Sequence, residues 1–131
     1  MSVPSELRIV RAGKLDAPRP LRHALDAFLH ALRVEHERRE DIIVAVGEAL
    51  SNAVEHGNPA GNGTVELYAR IEPSETLVVD VRDDGTFIDR EHGTPGRGFG
   101  LGIVRAIARA VSIDTANGTL ISMTFDAPTA A

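Results

Sequence analysis

Three groups of residues in this sequence have the types and spacing for chemistry. Glu48 and Asn52 stand four positions apart among small or apolar neighbours. On a helix that spacing puts them one turn apart on one face. An acid and an amide so placed can share one hard cation and one water or hydroxyl. The plain alternative is the wet polar face of an amphipathic helix. Asp83 is the second group. It follows Val79 and Val81 with the same parity, so on a strand it points toward the core face, where a carboxylate needs a partner. It is either an ordinary strand-ending Asp-Gly turn with Asp84-Gly85 or a buried acceptor for an amino group on a ligand. The third group is Gly96-Arg97-Gly98-Phe99-Gly100-Leu101-Gly102. Alternating glycines that run into a helix expose backbone N–H groups to phosphate oxygens. No strand directly precedes this run, and no Gly-Lys-Ser/Thr ending closes it. It is therefore neither a dinucleotide fingerprint nor a P-loop.

These residues need elements to position them. Residues 6–12 read as a strand. Pro18 and Pro20 open a helix with the stripe Leu21, Leu25, Phe28, Leu29 and Leu32. A second helix runs from about Glu37 to His56, with Gly57 as its left-handed stop and Pro59 beyond. Ile42, Ile43, Val46, Ala49, Leu50, Ala53 and Val54 fill its apolar arc. Asp41, Glu48, Asn52, Glu55 and His56 fill the opposite arc, with Val44 and Ala45 beside them. Val65 to Glu72 and Leu77 to Val81 alternate as two strands around a Pro73-Ser74-Glu75 turn. Residues 84–98 form a long loop. A third helix spans about Leu101 to Ala110, and two strands, Ser112 to Thr115 and Thr119 to Phe125, meet across Asn117-Gly118. The order β-α-α-β-β-loop-α-β-β gives an α+β, two-layer sandwich, a mostly antiparallel sheet with helices on one face. The expected organisation is one domain over residues 1–131, with a disordered tail at 127–131.

Composition narrows the function classes. The chain has 131 residues, no cysteine and a net charge of −5. Disulfides and thiolate chemistry are excluded, and a direct nucleic-acid binder, which needs a basic face, is disfavoured. No apolar run is long enough to span a bilayer and no signal core opens the chain, so the expected location is the cytoplasm, without a membrane partner. His23, His30, His36 and His92 show no metal spacing with acids; His56 reads as a helix-end cation, with a role in a site as the alternative, and Arg90 and His92 read as surface residues, with a ligand contact as theirs.

Glu48-Ala-Leu-Ser-Asn52-Ala-Val-Glu-His56-Gly57 resembles the N box of the GHKL ATPase superfamily. Asp83-Asp84-Gly85 resembles its G1 box, and Gly96 to Gly102 its G2 box, in the same order and on the same kinds of element. The resemblance implies the Bergerat ATP-binding fold. Gyrase and heat-shock chaperone members have far larger ATP-binding domains, and the helices that carry the phospho-accepting histidine of histidine kinases are missing from this sequence. A small domain with Asn-Ala-Val-Glu-His-Gly and Gly-Arg-Gly-Phe-Gly-Leu is most similar to the bacterial anti-sigma factor serine/threonine kinases.

That resemblance implies ATP and Mg²⁺ as cofactors. Glu48 is the implied general base and Asn52 completes the Mg²⁺ shell. Asp83 accepts from the adenine amino group, with Gly85 letting the base lie close. Gly98, Gly100 and Gly102, with Leu101 among them, line the triphosphate, and Thr119 supports the adenine end. Arg97 is counted among the nucleotide contacts, with a solvated arginine as its alternative, as for Arg105. The family's second glycine after Gly85 is replaced here by Thr86-Phe87. The implied partners are an anti-anti-sigma protein of the STAS fold, phosphorylated on serine, an RNA polymerase sigma factor, and a second copy in a homodimer. Two other readings stand beside this one: a nucleotide-controlled binding regulator, and a detached histidine-kinase ATPase domain. One ATP site occupies nearly the whole chain, so the expected phosphoacceptor is another protein.

Overall fold

In the computed structural model, which describes residues 4–56, 63–85 and 100–130, the elements run β1 (Glu6–Ala12), α1 (Pro18–Ala31), α2 (His36–His56), β2 (Thr64–Glu72), β3 (Thr76–Asp83), α3 (Gly100–Ile107), β4 (Ala110–Asp114) and β5 (Thr119–Asp126). The strands form one sheet in the order β1-β2-β3-β5-β4, antiparallel throughout. This is the α+β sandwich expected from the sequence. Gly57 and Pro59 lie outside the described residues.

The core forms where the sheet's inward residues meet the helices. Val65, Leu67, Ala69, Leu77, Val79, Val81, Ile121, Met123 and Phe125 are buried on one side of the sheet. Leu21, Leu25, Phe28 and Leu29 of α1 and Ile42, Val46, Leu50 and Ala53 of α2 join them in one cluster. Helix α1 starts at Pro18, where a missing N–H costs nothing. It ends at Ala31 and is capped by Leu32, with Arg33 left-handed at φ 63°; the Arg33 and Val34 amides close back on His30 O (2.9 Å) and Leu29 O (3.0 Å).

The structure revises four expectations. Ala45 is fully buried rather than beside the polar face, because α2 packs against α1, α3 and β3 together and so hides a wider arc. Helix α3 ends at Ile107, not Ala110, since Arg109 N already donates to Thr124 O (2.7 Å). The sheet thus claims Val111, whose spacing from Leu101, Val104 and Ala108 mimics a helical stripe, and β4 starts at Ala110, two residues before Ser112. The tail is not frayed through 130. Ala127 is fully buried, Glu35 N donates to Pro128 O (2.9 Å), and Ala130 N donates to Arg33 O (2.7 Å). The Thr129 amide (2.9 Å) and hydroxyl (2.7 Å) both donate to Glu75, whose own φ is 58°, and they hold its carboxyl below the usual range.

Candidate functional site

Helix α2 carries the first group and packs on the elements that hold Asp83 and the described part of the glycine run. It carries Glu48 and Asn52, both half-buried and one turn apart. Gly47, immediately before Glu48, is buried under the side chain of Arg22 from α1; a Cβ there would meet Arg22 Cδ at 2.9 Å. The flexible Arg22 side chain thus lies over the turn beside the acid. Helix α2 also packs on β3, which ends in Asp83, and on α3, which begins at Gly100.

Period-two alternation drives the Asp83 side chain inward, as its parity predicts, and leaves it 4 % exposed. Burial raises its pKa above the ordinary value; the hydrogen bond from Gly85 N to Oδ1 (2.7 Å) opposes this, and the neighbouring Asp84 charge adds to the rise. Asp84 turns the other way, where Oδ2 accepts from the Thr64 amide (2.7 Å) and hydroxyl (3.2 Å) and joins the turn to the start of β2. A carboxylate held inward with one backbone donor retains acceptor capacity for an N–H donor.

The register of β3 on β5 sets Thr119 directly opposite Asp83. Thr119 is 2 % exposed, and its hydroxyl donates to Gly85 O at 3.2 Å. Asp83, Gly85 and Thr119 therefore form one bonded group, although the sequence separates Thr119 from the others by more than thirty positions. Gly118 is a fourth member, which reading for charged and polar side chains overlooks. Its φ is +71°, and a Cβ there would collide with the Asp83 carbonyl oxygen and lie 3.1 Å from Asp84 Cα. Asn117-Gly118 was legible as a hairpin turn; its pressing on the Asp83–Asp84 backbone was not.

In α3, which packs on α2, Leu101 is 7 % exposed and Val104 fully buried, and these two seat the helix. The Leu101 side chain is thus occupied in packing, leaving its backbone for a ligand. Gly102 is exposed at the first turn. Arg97 and Gly98 lie outside the described residues.

The half-buried acid and amide can hold a proton and a hard cation, the inward carboxylate can read an amino group, and the glycine-started helix can face an anion. Solved structures share the fold. The RsbU and RsbW domains of Rv1364c from Mycobacterium tuberculosis superpose with a TM-score of 0.77 at 24% identity, over 96% of this chain and 34% of that one. The Erythrobacter litoralis EL346 blue-light activated histidine kinase superposes with a TM-score of 0.58 at 26% identity, over 72% of this chain and 32% of that one. This chain therefore spans about a third of either protein. Residues 12–125 match the histidine kinase-like ATPase domain, and the chain belongs to that family.

Proposed function

We propose that this chain is an ATP-dependent serine/threonine protein kinase of the anti-sigma type, which phosphorylates a serine of a STAS-domain partner and also sequesters a sigma factor. The observation that carries the nucleotide reading is Asp83, an inward carboxylate with Gly85 and Thr119 bonded beside it. Such an acceptor suits the exocyclic amino group of adenine. The Asn52 side-chain oxygen is a hard donor that fits Mg²⁺, an ion that takes few protein ligands. Bound Mg²⁺ supplies charge neutralisation at the phosphates.

In this reading Glu48 accepts the proton of the acceptor serine hydroxyl as its oxygen bonds to the γ-phosphorus and the bond to ADP breaks. The N-terminal turn of α3, free of acidic residues, turns backbone N–H groups toward the phosphates. Positioning and charge stabilisation do most of the work in such a transfer.

The fold shared with the RsbU–RsbW chain supports the protein-partner reading. The fold shared with a blue-light activated histidine kinase favours a second one, a detached ATPase domain that phosphorylates histidine in another chain. Incubation with γ-labelled ATP, Mg²⁺ and candidate STAS proteins separates them. Acid-stable label on serine is the expected result, and acid-labile label establishes the histidine reading. Nucleotide binding without any transfer leaves a nucleotide-controlled binding regulator.

A further inference from the structure

A further contact joins the first turn of α2 to the last residue of α3. Arg38, half-buried, donates from Nη2 to the Ile107 carbonyl (3.0 Å) and from Nε to the Asp126 carbonyl (2.7 Å). Ile107 closes α3 and Asp126 closes β5. The Ile107 carbonyl has no donor within its own helix and sits at the negative end of the helix dipole. One guanidinium therefore satisfies that end electrostatically and ties it to the sheet. The fork geometry matters, since an ammonium does not present two fixed donors to two carbonyls.

The contact also fixes how α3 lies on α2. The C-terminal end of α3 sits at Arg38, and the two helices pack together. At 1.5 Å per residue, α3 is about 12 Å long and Glu48 lies about 15 Å along α2 from Arg38. The N-terminal turn of α3 is thereby carried toward the level of Glu48. Arg109 N on Thr124 O and the start of β4 anchor the C-terminal end of α3 to the sheet, so without the Arg38 fork α3 can tilt about that end, and a tilt of about 5° over that length moves its N-terminal turn by about 1 Å.

We infer that Arg38 is a positioning residue for the phosphate side of the nucleotide site: it sets the place of α3's N-terminal turn without touching the nucleotide. The inference rests on the nucleotide reading proposed above. It separates the two ends of the site, because the Asp83–Gly85–Thr119 group is held by the β3–β5 register and not by Arg38.

The test compares ATP with adenosine, which lacks the phosphates, by calorimetry on the wild-type chain, Arg38→Met and Arg38→Lys, well below each variant's melting temperature. Arg38→Met is expected to weaken ATP binding about tenfold, the equivalent of one lost hydrogen bond to a charged group. Adenosine binding is expected to stay within about twofold. Arg38→Lys, which keeps one donor contact, falls between them and carries the comparison if Arg38→Met does not fold. Equal weakening of both ligands, or of neither, overturns the inference and makes Arg38 a stability residue only. A wild-type chain that binds neither ligand overturns the nucleotide reading itself, a result distinct from any effect of the variants.

Discussion

The two ends of the candidate site are built on different principles. The Asp83 end is made by sheet register: β3 and β5 pair residue by residue, both polar side chains are almost fully buried, and each makes a hydrogen bond to Gly85. The Glu48 end is made by helix phase: two half-buried side chains share a face of α2, one turn apart. Burial makes the first end rigid and costly to disturb, whereas the second end remains open to reagents. Recognition suits the first, and group transfer suits the second.

The largest expected break falls at the open end. Glu48→Ala should lower phosphoryl transfer by about 10²–10⁴-fold, the range for loss of a general base, with ATP affinity and melting temperature nearly unchanged. Label transfer and calorimetry on the same sample check this. At the buried end the pattern reverses. Asp83→Asn should weaken adenosine and ATP alike, by roughly 10–100-fold, because an amide offers a donor where the ligand also brings one. Its stability should hold or rise, since an ionised carboxylate no longer has to be desolvated.

The same comparison can be sharpened by pH. The folded pKa of Asp83 lies above its ordinary value of 3.8. As pH rises through the folded value the empty protein ionises a buried group and loses stability, because the native state binds more protons than the unfolded one between the two values. A donating ligand favours the ionised form. Adenosine affinity should therefore fall as pH is lowered into a window above 3.8, and Asp83→Asn should remove that dependence; titration calorimetry at several pH values reads both.

Smaller effects follow for the residues behind Asp83. Gly118→Ala combines a positive φ with a collision on the Asp83 backbone, and should cost about 2 kcal/mol in denaturant unfolding. Thr119→Val keeps the shape and deletes only the bond to Gly85 O, for about 1 kcal/mol.

Local periodicity made much of this visible in advance. Parity alone turned Asp83 inward, and helical phase alone put Glu48 with Asn52. The element order and the antiparallel sheet followed from alternation and turn chemistry. What escaped depends on contacts between distant segments. The end of α3 was overrun because Val111 continues its stripe, while the decision belongs to Thr124 on another strand. Ala45 looked marginal because nothing local reports that three elements surround α2. Arg38 was one charge in a mixed run from Glu35 to Asp41, and only the folded chain brings it to Ile107.

The segment 127–130 has a practical meaning. It stitches two corners together, the one at Arg33 between α1 and α2 and the one at Glu75 between β2 and β3. A fluorophore placed at Ala130 would report on the α1–α2 corner rather than on a loose end. The Glu75 part of the seam, whose carboxyl titrates below its ordinary value of 4.5, holds at neutral pH and lets go as acid protonates it in the folded state. Anything fused beyond that point would pull directly on the corner from which α2 sets out.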